Sequence, residues 1–144
     1  KLSEIEATEL DFKVEILKGI HNFTASSGDT FKLALYTSSA SLGASTTAYT
    51  TSNEVSGSGY TAKGNALTSV TPVADSTTAV CDFNDVSFTS ASFTANGAII
   101  YNSSASGNPA CAVIAFGGDK TVSSGTFTIQ FPAADASNAI IRLA

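Results

Sequence analysis

The spacing of apolar residues changes near residue 30, which divides the chain into two parts. Between residues 9 and 18 the apolar positions recur every three or four residues, the period of an amphipathic helix. They are Phe12, Ile16 and Leu17, continued by Ile20. Thr8 is a candidate N-cap with Asp11 three residues later, and Gly19 stands where a C-terminal glycine is expected. The pattern predicts one helix from about residue 9 to 18, packed through Phe12, Ile16 and Ile20 on the rest of the chain.

After Asp29 the apolar residues alternate with polar ones, the period of a strand that covers a core with one face. The segment 31–37 shows it first, as FKLALYT. Further predicted strands are 79–88, 92–95, 98–101, 110–116, 126–131 and 139–143. Turn residues cluster at 56–59, Asn96-Gly97, 106–109, 117–119 and 123–125. Short strands separated by turns, without intervening helices, predict a mainly β fold: an antiparallel β-sandwich or jelly-roll-like barrel with one short N-terminal helix.

The chain of 144 residues has the length of one compact domain. We expect an arm at 1–7, the helix at about 9–18 and a β body at 30–144. The segment 37–54 is too long for a tight turn and is predicted to be the main surface loop. Tyr49 is its only aromatic residue.

Charge is sparse and unevenly placed. Charged residues make up 13% of the chain, against about 25% in a typical globular protein, and ten of them fall in the first 32 positions. A net charge of −5 with scattered basic residues argues against a nucleic-acid partner. No segment approaches the roughly 18 to 20 apolar residues of a membrane-spanning helix, so no membrane partner is expected.

The residue types that most often perform catalysis are few. The chain has one histidine, His21, and two cysteines, Cys81 and Cys111, each in an apolar, strand-like run. Buried free thiols are the simpler interpretation, and a cross-strand disulfide is the alternative if the two runs pair. Neither cysteine has a histidine close in sequence, and His21 is expected to interact with carbonyl groups at the helix end.

The densest set of oxygen ligands is Asp82, Asn84 and Asp85, which a hard cation such as Ca²⁺ would accept. A solvated turn or strand end explains the same residues without a metal. The glycines and lysine of residues 57–64, GSGYTAKG, fit neither phosphate-binding pattern. We therefore expect no metal, no cofactor and no enzymatic activity.

Four blocks of the chain resemble a family of small virion proteins of tailed bacteriophages. They are VEILKGIHNFTASSGDTFKLALYTSSASLG at 14–43, AYTTSNEVSGSGYTAKGNAL at 48–67, GAIIYN at 97–102 and AVIAFGGDKTVSSGTFTIQFP at 112–132. The resemblance covers nearly the whole chain from about residue 10. It implies a component of the virus particle, assembled in the host cytoplasm, and it brings no catalytic residues. The two cysteines depart from the apolar residues expected at their positions.

The resemblance and the composition together favour a capsid decoration or cement protein that binds the major capsid protein and other virion proteins as a homo-oligomer. A tail, baseplate or fibre-associated module is the alternative within the virion, and a carbohydrate-binding adhesion module the alternative outside it. A weakly charged body steers partners poorly, so attachment should depend on apolar or aromatic anchors. The candidate assembly contacts are Leu2 and Ile5 in the arm and Tyr49 in the long loop, although ordinary packing or exposed chain also explains each.

Overall fold

The computed structural model describes residues 8–43 and 45–144, with side chains from Leu10 onward. One helix, α1 (Thr8–Leu17), precedes seven strands. The strands are β1 (Phe31–Tyr36), β2 (Asn65–Ala66), β3 (Ser69–Asp75), β4 (Thr78–Phe83), β5 (Val86–Asn102), β6 (Ala110–Ile129) and β7 (Ile141–Leu143).

The strands form two antiparallel sheets, one of four strands in the order β2-β1-β5-β6 and one of three in the order β3-β4-β7. The predicted fold class is confirmed, because the chain is mainly β with one short helix and its two sheets make a β-sandwich-like fold. One apolar core includes residues of both sheets. Its large members include Phe31, Leu33, Phe83, Phe88, Ile100 and Ile141, and Phe12 of α1 joins them.

The helix ends as the sequence predicts. Gly19 takes a left-handed conformation, with φ of 72°, which a glycine adopts without steric cost. The Gly19 N–H donates to the carbonyl of Ile16, and the Ile20 N–H donates to the carbonyl of Glu15, both at 3.0 Å. These two bonds form a Schellman motif. The predicted capping contact of the Thr8 side chain lies outside the described side chains.

The packing of the helix differs from the prediction at one of its three anchors. Phe12 is 1% exposed, and Ile16 packs against the same core, as expected. Ile20 is 37% exposed, because it follows the turn at Gly19 and no longer lies on the helix face that covers the sheet. Leu17, about 140° around the helix from Phe12, is 88% exposed.

The centre of the larger sheet is a long hairpin in which several predicted turns are absent. The predicted turn at 106–109 does lie between β5 and β6, but Asn96-Gly97 lies inside β5, and residues 117–119 and 123–125 lie inside β6. The pairing of β5 with β6 shifts register at four places, one of them between Ala95 and Gly97. The turn-forming residues here lie at or near irregularities in the strand pairing. Such irregularities bend a strand and change which of its side chains face the core.

Register shifts also explain the burial pattern of β5. Phe88 is buried, then Ala91, Phe93 and Ala95, and finally every residue from Ala98 to Asn102. A first shift between Phe88 and Ala91 moves the buried side from even to odd positions. Beyond Gly97 the strand is covered on both faces, because a second apolar cluster packs on its outer side. That cluster comprises Ala34, Tyr36, Ile99, Tyr101, Ala110 and Val113.

Candidate functional site

All four tyrosines of the chain gather around one carboxylate, that of Glu54. The Tyr49 hydroxyl donates to Glu54 Oε2 at 2.7 Å, and the Tyr60 hydroxyl donates to Oε1 at 2.6 Å. The backbone N–H of Lys63 also donates to Oε1, at 2.7 Å. Glu54 therefore holds together three points of the connection between β1 and β2.

The other two tyrosines fix this connection to the sheet. The Tyr36 hydroxyl donates to the carbonyl of Thr50 at 2.6 Å, and the Tyr101 hydroxyl donates to the carbonyl of Lys63 at 2.7 Å. The rings of Tyr49 and Tyr101 stack with centroids 4.8 Å apart. We call Glu54 with these four tyrosines the tyrosine cluster.

Burial raises the pKa of every tyrosine in the cluster, and the charge of Glu54 raises each of them further. The pKa of Tyr101 rises from 10.0 to about 12 for these two reasons. For Tyr49 and Tyr60 the hydrogen bond to Glu54 is the second cause after burial. For Tyr36 the hydrogen bond to Thr50 opposes the rise in pKa without cancelling it. The four hydroxyls consequently remain protonated donors well above neutral pH.

The predicted assembly contacts have different outcomes. Tyr49 is half-buried, with its hydroxyl bound to Glu54 and one ring face against Tyr101. Its described contacts are therefore those of a packed residue, and part of its ring remains accessible. Leu2 and Ile5 lie outside the described residues.

A second polar cluster joins α1 to the hairpin through His21. The Nε2 atom of His21 lies 2.6 Å from Glu15 Oε2, and its Nδ1 atom lies 3.1 Å from Asn102 Nδ2 and 3.7 Å from Cys111 Sγ. The expectation that His21 interacts with carbonyl groups at the helix end was wrong, because its two ring nitrogens lie beside the side chains of Glu15 and Asn102 instead. We call these four residues with Asp29 the histidine network.

The amide of Asn102 sets the protonation pattern of His21. Asn102 Oδ1 accepts the backbone N–H groups of Ser104 and Ala105 at 2.9 and 3.2 Å, so its Nδ2 must point toward His21 and Asp29. Nδ2 can only donate, so His21 Nδ1 accepts, and the ring proton lies on Nε2 facing Glu15.

The order Cys111, His21, Glu15 is that of a thiol nucleophile, its base and an orienting acid. Burial opposes that chemistry. Cys111 is 0% exposed, and burial raises the pKa of its thiol well above 9.0. The His21 side chain is 0% exposed as well. A protonated thiol that no substrate can reach is a packing group with weak hydrogen bonds, so the network connects α1 to β5 and β6.

Both cysteines are free and buried, as the simpler interpretation predicted. Cys81 lies in β4 of the smaller sheet and pairs with Ile141, whereas Cys111 lies in β6 of the larger sheet. The two runs do not pair with each other, so the condition for a cross-strand disulfide is not met. Burial raises the pKa of Cys81 to about 12.

Of the three oxygen-bearing residues near the end of β4, Asp85 binds backbone through its side chain and Asn84 through its main-chain N–H. Asp85 Oδ1 accepts the N–H of Phe131 at 2.9 Å, and the N–H of Asn84 donates to the carbonyl of Thr68 at the same distance. Asp82 Oδ1 is buried without a hydrogen-bond partner. Within residues 8–43 and 45–144, no group of three His, Cys, Asp or Glu side chains is placed to hold a metal ion.

Two apolar surfaces remain accessible. The first is the outer face of α1, formed by Leu10, Val14 and Leu17. The second is a groove of about 1000 Å³ between β6 and the C-terminal segment. Its lining includes the rings of Phe116, Phe127 and Phe131 and the cationic side chains of Lys120 and Arg142. No sequence pattern had indicated the groove, because its lining comes from separate stretches between Val113 and Arg142.

Comparison of the chain with protein-family models, curated proteins and solved structures finds no match. Among the described residues, no helix is long and apolar enough to cross a membrane.

Proposed function

We propose that this protein is a non-enzymatic structural component of a tailed-bacteriophage virion, and that it decorates the capsid by binding the major capsid protein as a homo-oligomer. The observation that carries the proposal is the resemblance of the four sequence blocks to small phage virion proteins. The proposal places the protein in the particle, after assembly in the host cytoplasm.

The four blocks coincide with parts of the chain that hold the fold together. The block 14–43 contains the end of α1, His21, Asp29 and β1. The block 48–67 contains Tyr49, Glu54, Tyr60 and Lys63. The remaining two blocks contain the end of β5 and most of β6, which pair in the hairpin. The blocks thus contain most residues that hold the connections to the sheet, as expected of relatives that share a rigid module.

The surface chemistry supports the same proposal. The polar groups best suited to catalysis bind one another in the histidine network, whereas hydroxyl and small side chains dominate the surface. A particle presents many copies side by side, so weak contacts through small apolar surfaces add by multivalency. A decoration protein requires only such contacts and a stable fold.

Copy number in purified particles tests the proposal. The measurement is quantitative mass spectrometry against a labelled standard, in particles of a phage that encodes this protein. Hundreds of copies per particle support capsid decoration, and roughly three to twelve copies, the range of closed rings, support the tail or baseplate alternative. A protein that is not retained in purified particles contradicts both.

The candidate arm is tested by removing residues 1–7, which carry Leu2 and Ile5. If the arm attaches the protein, the shortened chain keeps its circular dichroism spectrum and melting temperature but does not enter particles. Incorporation at the wild-type level rules out the arm and directs attention to residues 37–54 and Tyr49.

The aromatic groove favours testing the adhesion alternative as well. Phenyl rings that line an open groove can support sugar rings. Binding on a glycan array that is lost on Phe131→Ala, with an unchanged circular dichroism spectrum, would support adhesion over decoration.

A further inference from the structure

Helix α1 has two apolar faces, and only one of them is covered. Phe12 and Ile16 face the core, whereas Leu10, Val14 and Leu17 are 70%, 41% and 88% exposed. A single exposed apolar side chain is ordinary. Three of them at spacings of four and three residues make a continuous stripe along a helix of ten residues.

The spacing of the stripe is that of a helix-pairing seam. Leu10, Val14 and Leu17 occupy successive d, a and d positions of a heptad, with leucine at both d positions and a β-branched residue at a. The core contacts of Phe12 and Ile16 lie on the other side of the helix. The seam can therefore pair with a partner while α1 stays packed on its own sheet.

The charges beside the seam identify the partner. Asp11 and Lys18 each follow a d-position leucine directly, so both lie on the same flank of the seam, and both are exposed. Around a two-fold axis near Val14, an antiparallel second helix brings its Lys18 beside Asp11 and its Asp11 beside Lys18. In a parallel pairing Asp11 lies level with the other Asp11, seven residues from Lys18. The flank is thus complementary to itself in the antiparallel orientation.

We propose that α1 is a self-association element, in which its outer face packs antiparallel against the outer face of α1 in a second copy of this chain. The inference rests on the geometry and charge of α1 and stands independently of the virion assignment. The seam spans about 10 Å from Leu10 to Leu17. It therefore buries less than the about 800 Å² per partner of a standard interface. The dimer should therefore be weak in free solution, with a dissociation constant on the order of 10 to 100 µM.

Sedimentation equilibrium over a concentration series that exceeds this range about tenfold measures the association. Leu17→Asp places a charge in the seam and should weaken dimerisation at least tenfold. Val73→Asp is the matched control, because Val73 is also an exposed apolar residue, at 57%, and lies on β3. Its dimerisation should equal that of the wild type. Unchanged circular dichroism establishes that both variants are folded.

Charge reversal tests the orientation. Asp11→Lys and Lys18→Asp each place like charges together at both symmetric pairs and should each weaken the dimer severalfold. The double variant restores opposite charges at both pairs, with the two charges of each pair exchanged. Its dissociation constant should therefore return to within about twofold of the wild type. A double variant as weak as the two single effects combined overturns the antiparallel arrangement.

Cross-linking gives a second readout. Both native thiols are buried, so Val14→Cys supplies an accessible thiol near the two-fold axis. Mild oxidation should yield a covalent dimer, whereas Ser56→Cys, an exposed position on the long connection, should not. A wild-type protein that remains monomeric throughout the concentration series overturns the proposal. If Leu17→Asp then still abolishes particle incorporation, the face binds a different virion protein.

Discussion

The tyrosine cluster makes the protein sensitive to alkaline pH through four hydroxyls. In an unfolded chain each phenol ionises near pH 10, whereas burial and Glu54 raise the pKa of Tyr101 in the folded protein to about 12. Because the folded state holds these protons more tightly, its stability is complete below pH 10 and declines as the pH rises toward 12. We expect the free energy of unfolding in urea to fall across this window. Ultraviolet absorbance should show the phenolates appearing together with unfolding. The chain has no tryptophan, so this absorbance reports on the tyrosines.

Glu54→Gln separates the two causes of the raised tyrosine pKa values, the charge of Glu54 and burial. The amide removes the negative charge that helps to raise each tyrosine pKa, so stability should depend less steeply on pH between 10 and 12, although it is lower at neutral pH. Asp119→Asn is the control of equal charge change, because Asp119 is bound to Asn96 and not to a tyrosine. An identical pH profile in both variants would show that Glu54 does not act on the tyrosines.

The two thiols should be unreactive in the native protein. Burial raises the pKa of Cys81 to about 12, and Cys111 is 0% exposed. Only a thiolate in contact with solvent reacts with a disulfide reagent. We expect no labelling at neutral pH in buffer and labelling of two thiols in denaturant. Fast labelling of either thiol in buffer would contradict the burial of that thiol.

At the scale of residues the sequence predicted burial better than it predicted partners. The burial of both cysteines followed from their apolar surroundings. The contact of His21 with Cys111 did not, because the two residues are 90 positions apart and meet only when α1 packs against β6. Tyr49 was a candidate anchor because it is the only aromatic residue of the segment 37–54, with ordinary packing as the alternative. Its partner Glu54 lies in the same segment, whereas its partner Tyr101 lies in β5 and could not be inferred from the pattern.

Among the described side chains of α1, Phe12 alone is fully buried. Phe12 contacts the rings of His21 and Phe23, with centroids 5.2 and 6.0 Å apart. Phe12→Ala should cost on the order of 3 to 5 kcal/mol of unfolding free energy, as expected for a buried phenylalanine. Leu17→Ala on the same helix should cost less than about 0.5 kcal/mol, because Leu17 is 88% exposed. Equal losses in urea denaturation would mean that α1 packs through its other face.

The connection between β1 and β2 approaches the sheet so closely that one position admits only glycine. Gly64 has φ of 71°, and a Cβ atom there would overlap the carbonyl of Leu33. Gly19 has nearly the same φ, at 72°, but no atom lies within 4 Å of its Cβ position. Gly19→Ala should therefore cost only about 1 to 2 kcal/mol for its backbone conformation. Gly64→Ala should cost clearly more, which thermal unfolding of the two variants would measure.

At the scale of elements, periodicity identified the helix and β1 almost to the residue, because both have one regular apolar face. Periodicity did not identify the strands correctly where the apolar pattern is irregular. The predicted strand 79–88 is interrupted between β4 and β5, and the predicted strands 92–95 and 98–101 are both parts of β5. Strand β3 was not predicted, because six of its seven residues are exposed and one is Pro72. A sequence does not distinguish a glycine that turns the chain from one that bends a strand.

The whole molecule should not need a metal ion. We expect a chelator titration to leave the melting temperature unchanged, because Asp85 Oδ1 already accepts the N–H of Phe131 and the described residues contain no group of three His, Cys, Asp or Glu side chains placed to hold a metal ion. A shift of several degrees would indicate a calcium site, and Asp85→Asn should then reproduce that shift. Asp82 would be the natural third ligand, since its Oδ1 atom is buried without a partner.

The β5–β6 hairpin also has a consequence for the order of folding. Its ladder begins at the pair Tyr101 and Ala110, across a short loop, and extends outward to Val86 and Ile129. In contrast, β1 must find β5 across about half of the chain, since Phe31 pairs with Asn102. Closing a short loop costs less chain entropy than closing a long one. In pulse-labelled hydrogen exchange, we therefore expect amides of the hairpin to gain protection first and those that join β1 to it to follow.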